Sequence, residues 1–199
     1  MPGGGEVIAR LVNVVVLGFV LSLDNFRTSV LLGPLRMRWP RMVLVAVNFG
    51  IWDGVAPLIG LLIGREVGEA IGPIADWIGP AALLVFGLYL LVRAWRTTAP
   101  TPGSDADDEF EQTWTLFGLP VPLSIDNIVA GTGLGLLGFS PWLSATIFGV
   151  ITAIMSMVGL VLGRAAFRLL RSRINLRYEV VTGIALIIEA IVLALLAGD

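Results

Sequence analysis

The stretches "LSLDN" at residues 21–25 and "LSIDN" at residues 123–127 place one Ser-x-Asp-Asn pattern inside two separate apolar segments of the same chain. The surrounding composition says what those segments are. The 199 residues are 56% hydrophobic and 14% charged, and the mean hydropathy is +0.90, far outside the averages of soluble domains. A hydrocarbon core about 30 Å thick takes about 20 apolar residues per helical span. Six stretches qualify, near 7–32, 42–64, 76–95, 113–138, 141–165 and 178–197. Runs such as "LIIEAIVLALLAG" (186–198) lack the strict alternation of a barrel strand, so the spans are expected to be helices. The expected class is an all-α polytopic membrane protein of six transmembrane helices. The first apolar stretch lacks a basic n-region and a small-residue cleavage site, and so reads as a span and not as a leader.

All thirteen basic residues are Arg. Arg36, Arg38 and Arg41 follow the first span, Arg93 and Arg96 close the third, and Arg164, Arg168, Arg171, Arg173 and Arg177 separate the fifth from the sixth. The other face holds only Arg10 and Arg65. By the positive-inside rule the Arg-rich face is cytoplasmic and both termini are extracytoplasmic. The connector "TTAPTPGSDADDEFEQ", 97–112, reads as a disordered cytoplasmic linker from its Pro, Gly and acidic content. It divides residues 1–96 from residues 113–199 within one transmembrane domain.

Those two parts resemble each other. The Ser-x-Asp-Asn pattern recurs at an offset of 102 (126 minus 24), and "NFGIWDGVAPLIGLLIGR" (48–65) aligns with "IFGVITAIMSMVGLVLGR" (147–164). Each part carries three spans, an odd number, so the second copy is expected upside down relative to the first. Arg65 and Arg164 are equivalent in the alignment yet fall on opposite faces, as inversion requires. Inverted three-helix repeats are typical of secondary transporters, whose substrate site lies near the bilayer midplane where the repeats meet.

Asp24 and Asp126 suit that role, because a lone carboxylate at the middle of a span costs roughly 2.5–3.5 kcal/mol or more unless it faces a partner, a cavity or an ion. Ser22 and Ser124 stand two residues before each Asp and point elsewhere on a regular helix, so they join a common site only where the backbone is unwound. Pro120 and Pro122 make unwinding plausible in the fourth span by removing backbone donors, whereas the first span has only Gly18. With no Cys and no His, thiolate and imidazole ligands are excluded. The oxygens of Asp24, Asp53, Asp126, Glu189, Asn25, Asn127, Ser22, Ser124, Thr28 and Thr152 remain, a donor set that suits Mg2+, Ca2+ or Mn2+. Met155 and Met157 add soft sulfur, with core packing as the plainer reading. Asn48 reads as interfacial, the six Trp as a belt mostly at span ends, and "GTGLGLLG" (131–138) as close helix packing.

These segments together resemble the MntP family of bacterial manganese exporters, which carries S-[ML]-D-A-F-A-x-S in its first helix, F-G-x-x-[QE]-x-x-x-P-L-I-G in its second, S-[IL]-D-A-[LM]-A-V-G in its fourth and a Gly-rich fifth helix ending in Gly-Arg. The resemblance covers nearly the whole chain. It implies a six-helix fold of the lysine-exporter superfamily in the bacterial inner membrane, with Mn2+ as transported substrate and no prosthetic group. It points to Asp24 and Asp126 as ion-site carboxylates, with Asp53 where the family places Gln or Glu. Three features depart from the pattern. Asn25 and Asn127 replace Ala, which is similar to TerC-type proteins; Arg27 replaces a small residue; and Glu189 has no assigned counterpart.

The expected metal ligands are therefore Asp24, Asp126, Asp53, Asn25, Asn127, Ser22 and Ser124, with Arg27, Glu189 and Thr28 as a gate or proton path. The expected partners are a divalent cation, protons and the lipid bilayer, with no nucleic acid. Without an ATP-binding motif, an ion gradient or the membrane potential must drive alternating access. The chief alternative is an exporter of an amino acid or another organic solute, in which Arg27 meets a substrate carboxylate. An intramembrane aspartyl protease and a non-transporting scaffold rank lower, and an enzyme is not expected.

Overall fold

The computed structural model describes residues 4–63, 65–96, 111–125, 127–128, 131, 140–171 and 177–197. It is all-helical there. Helices α1 (Gly4–Leu21) and α2 (Leu23–Leu32) form the first rod, followed by α3 (Trp39–Ile63) and α4 (Arg65–Arg96). After the connector come a π-helical turn (Trp114–Gly118) and α5 (Pro120–Leu123), then α6 (Pro141–Arg171) and α7 (Tyr178–Ala197). Among the described residues, four stretches are long and apolar enough to cross a membrane: Leu11–Leu32, Trp39–Gly60, Pro141–Arg171 and Tyr178–Leu195.

The distribution of side chains is that of a polytopic membrane protein. Val47, Ile51 and Val55 on α3, Val150, Ile154 and Val158 on α6, and Ile184, Ile188 and Ile191 on α7 are exposed at helical spacing. Ser22, Asn25, Asp53, Ser124, Asn127 and Thr152 are buried. Apolar stripes outside and polar groups inside are the arrangement that a hydrocarbon solvent selects. A second interior region is apolar, with Phe49, Phe86, Leu90, Leu119 and Leu186 fully enclosed.

The two parts of the chain interdigitate, because α3 packs chiefly on α6 and α4 on α7. Small residues set these approaches. A methyl group on Gly50 would collide with the carbonyl of Gly149, and one on Gly149 would lie 2.8 Å from the carbonyl of Gly50. Between α4 and α7 the relation is equally mutual: added methyls on Gly87 and Gly183 would each sit 2.9 Å from the other's carbonyl oxygen. Backbones this close favour dispersion contacts that any larger side chain would prevent.

The Arg-rich segments converge at one end of the bundle. Arg164 donates to the carbonyl of Met37, Arg177 donates to that of Ala94 at 2.8 Å, and Arg36 lies 5.2 Å above the ring of Tyr178. Arg93 pairs with Glu111 at 2.8 Å, and Arg41 donates to Thr115.

Several expectations shift. The helix expected at 76–95 begins at Arg65, since a helix satisfies its own backbone in water as well as in lipid and polarity alone does not end it. Of the connector, 97–110 lies outside the described residues, but Glu111 and Gln112 are already helical and Glu111 is only 5% exposed. Trp39, Trp77, Trp95 and Trp142 are exposed as a belt requires, whereas Trp114 stacks on Phe86 with ring centroids 5.7 Å apart, and Trp52 is half-buried within α3. Met157 packs against the apolar core. Of the segment 131–138 only Gly131 is described, and it abuts the backbone of Pro57.

Candidate functional site

The segment 114–124, where the fourth span was expected to begin, is not a continuous α-helix, and its prolines explain why. Pro120 has no N–H to give to the carbonyl of Leu116, the acceptor four residues earlier. The Asn48 side-chain amide donates there instead. Leu119 donates to Trp114 at 3.0 Å, a five-residue step that widens this turn into the π form. Asn48 is thus a structural partner of the broken span and not an interfacial residue.

Beyond that break, Ser124 adopts φ −95° and ψ −1°. Ser22, its counterpart at the α1–α2 junction, adopts φ −87° and ψ −1°. Both lie in the sparsely populated bridge region. Each hydroxyl reaches the carbonyl four residues back, Ser22 to Gly18 at 2.6 Å and Ser124 to Pro120 at 2.8 Å. Such back-bonding bends a helix. Without any proline, the first rod therefore reaches the same local geometry as the proline-broken fourth span, and the condition for Ser22 and Ser124 to join a site is met in both.

They join it through Asp53. This carboxylate, on α3 and 2% exposed, accepts from Ser124 at 2.6 Å on Oδ1, and from Asn25 at 2.7 Å and Thr152 at 2.8 Å on Oδ2. The amide of Asn127 is a fourth side-chain donor. Ser22 completes the group with a 2.6 Å contact to Thr152. Either hydroxyl can be the donor in that contact, since the single proton of Ser22 also has the Gly18 carbonyl within 2.6 Å. The cluster draws on α2, the segment after α5, α3 and α6, and its partners for Asp53 are all neutral.

Of the sequence-derived candidates, Asp53, Asn25, Asn127, Ser22 and Ser124 come together. Asp24 is half-buried in the first turn of α2, one residue before Asn25. Asp126 lies outside the described residues. Arg27 is engaged elsewhere: its guanidinium contacts both oxygens of Glu189 on α7, at 2.8 and 3.0 Å. This pair occupies the cation that the organic-solute reading needs. Thr28 is buried on α2, and its hydroxyl has no hydrogen-bond partner among the described residues. No three acidic residues gather in one place among the described residues. The sequence reading placed Asp53 beside the pair Asp24 and Asp126; the structure makes it the hub. Thr152 was only one of several available hydroxyls, although the alignment of 48–65 with 147–164 sets it opposite Asp53 at an offset of 99 (152 minus 53).

Comparison with known proteins identifies the family. The family model described as "Putative manganese efflux pump" matches residues 36–195. Curated relatives under the same description, with the suffix MntP, include one from Crocosphaera subtropica that is 34% identical over 183 residues, covering 90% of this chain and 92% of the relative. Others come from Halalkalibacterium halodurans, 26% identical with 79% and 83% coverage, and Bacillus thuringiensis, 25% identical with 89% and 92% coverage. No solved structure matches. Family match and relatives together span most of the chain, which therefore belongs to the MntP family, a family of membrane transporters and not of enzymes.

Proposed function

We propose that this protein exports Mn2+ across the bacterial inner membrane by alternating access around the Asp53 cluster. The observation that carries the reading is a carboxylate held deep in the bundle by neutral donors drawn from both parts of the chain. Its charge has no counter-cation among the described residues, which leaves that role to a transported ion. The donor set is oxygen only, suited to a hard divalent cation.

The serine geometry supplies a way to switch from closed to ligating. Each hydroxyl has one proton and two acceptors in reach, the carbonyl four residues back and its partner in the cluster. When Ser124 turns its proton to Pro120, its lone pairs face Asp53 and a cation fits between them. The amide of Asn25 has a buried Oδ1 without a hydrogen-bond partner among the described residues, and rotation presents that oxygen to the ion. One carboxylate balances half of the charge on a dication. Asp24 or Asp126, each next in sequence to a clustered Asn, supplies the remaining charge.

Mutual contacts support two inverted three-helix repeats, and with them six spans and both termini outside. Asp53 meets Thr152 and Gly50 meets Gly149, each residue touching its own equivalent in the alignment of the two parts, as a two-fold axis in the membrane plane demands. The convergence of the arginines at one end supports a cytoplasmic assignment for that end. Rocking of the repeats about this axis exposes the cluster to one side and then the other, with protons as the counter-ion.

The test is Mn2+ flux in proteoliposomes. Asp53→Asn is expected to lower flux by at least about 10-fold, with the protein still inserted and monodisperse, since it removes the ion's counter-charge but little volume. Wild-type flux in Asp53→Asn would sink the reading. An imposed pH gradient tests the counter-ion separately: flux that ignores the gradient refutes proton exchange alone.

A further inference from the structure

A second site lies at the Arg-rich end, in a cavity of about 350 Å3 between the segment 34–38 and the last two turns of α6. Its floor is apolar, made by the buried side chains of Leu35, Met37 and Phe167. Its walls carry Arg36, Arg38, Arg164, Arg168 and Arg171. Arg164, Arg168 and Arg171 recur at helical spacing on one face of α6, so three guanidiniums share a stripe facing the loop that bears the other two. Arg168 is near enough to Arg164 for their like charges to oppose each other.

None of the five pairs with a carboxylate among the described residues, whose ion pairs are Arg27–Glu189, Arg93–Glu111 and Arg177–Glu179. The described neutral partners are the Met37 carbonyl for Arg164 and the Tyr178 ring for Arg36. A concentration of cations over an apolar floor has no use in coordinating a metal cation. It is the complement of an anion with apolar substance attached. Guanidinium forks match phosphate oxygens two by two, and basic pockets between transmembrane helices at the membrane surface take anionic headgroups. Leu169 and Leu170, 72% and 52% exposed between Arg168 and Arg171, put lipid-facing side chains beside the opening, and exposed Trp39 follows Arg38.

We propose that this cavity binds a phosphate group carried by an anionic phospholipid, which thereby ties the segment after α2 to the end of α6. That segment continues α2, which carries Asn25, and α6 also carries Thr152, so the lipid is placed to favour one arrangement of the transport site. The binding itself does not depend on the identity of the transported ion.

The experiment uses the purified full chain in neutral detergent, with thermal unfolding followed against short-chain phosphatidylglycerol, short-chain phosphatidylcholine and inorganic phosphate. Phosphatidylglycerol near saturation is expected to raise the unfolding midpoint by roughly 5 °C, with phosphatidylcholine and phosphate each giving little. The double variant Arg168→Gln with Arg171→Gln, whose side chains are exposed, should keep the wild-type midpoint without lipid but need at least about 10-fold more phosphatidylglycerol for the same shift. Arg96→Gln, at the same end but outside the cavity, should respond as wild type. Equal stabilisation by inorganic phosphate would overturn the lipid assignment in favour of the free anion. Equal weakening by Arg96→Gln would overturn the site in favour of diffuse surface charge, and no response to phosphatidylglycerol would overturn it outright.

Discussion

Two ionisable groups on the membrane-spanning helices are handled in opposite ways. Asp53 is 2% exposed and surrounded by hydroxyls and amides without charge. Arg27, with 44% of its side chain exposed, pairs with Glu189 at 12%. The second arrangement is electrically complete, because each charge finds its opposite within the protein and α2 is linked to α7 by the result. The first is satisfied in hydrogen bonds and incomplete in charge. A buried charge held only by dipoles remains available to a mobile cation, whereas one matched by a fixed counter-charge does not. On the proposed function, that difference separates a site for an ion from a brace, though both are polar groups in lipid.

Neutralising each in turn breaks the comparison most directly. Asp53→Asn should abolish most Mn2+ flux, while Glu189→Gln should leave flux within about threefold of wild type when equal amounts of folded protein are compared. The expected damage from Glu189→Gln is to stability. It leaves the exposed Arg27 guanidinium without its partner, which should destabilise by about 1 kcal/mol and lower the thermal midpoint in detergent. Adding Arg27→Gln to Glu189→Gln should recover at least half of that loss, because the double variant contains no unmatched charge. Flux that collapses in both the single and the double variant would place the ion pair in the transport path and erase the distinction.

Thr152 provides a finer probe within the cluster. Thr152→Val keeps shape but removes one of the four donors to Asp53 and the hydroxyl that meets Ser22. The neutral hydrogen bonds involved are worth about 1 kcal/mol each, so a several-fold change in the Mn2+ concentration giving half-maximal flux is expected, well short of the loss in Asp53→Asn. An effect as large as that of Asp53→Asn would move the ion's principal ligand from α3 to α6.

How much of this was legible beforehand depends on what each feature rests on. Hydropathy and the Arg distribution describe the solvent around a segment, and so they gave the membrane-spanning helical class and gathered the correct arginines at one end. They could not place the start of α4 at Arg65, because the helix continues past the point where its side chains become polar. The repeated Ser-x-Asp-Asn pattern exposed the serines and asparagines that gather around Asp53 and Thr152. It drew attention first to the Asp in each copy, since only ionisable residues announce themselves by their expense in lipid. Thr152 is silent by that measure. Its signal was positional, lying opposite Asp53 in the alignment of the two parts, and a threonine on a helix is too common to be noticed until an aspartate is found hydrogen-bonded to it. The bend at Ser22 was also hidden, because no proline marks it and the serine that forms it acts through a bond to its own helix.

The fourth span gives the smallest predicted effect and a way to test how the bend is built there. Pro120 leaves the Leu116 carbonyl without its helical donor, and Asn48 fills the vacancy. Removing that amide with Asn48→Ala should cost about 1 kcal/mol, the usual worth of one neutral hydrogen bond plus part of the penalty for an unmet buried carbonyl. Pro120→Ala restores a backbone N–H that can reach Leu116 once the turn relaxes from π to α geometry. In that background Asn48→Ala should cost little, so a double-mutant cycle read by thermal unfolding should show coupling of about 0.5–1 kcal/mol. Pro120→Ala alone should also straighten the segment leading to Ser124, raising stability slightly while lowering Mn2+ flux, as Ser124 turns away from Asp53. Additive effects in the cycle would mean that the π turn is held by Leu119 and Trp114 without help from α3, and that proline shapes the span through its ring and not through the donor it lacks.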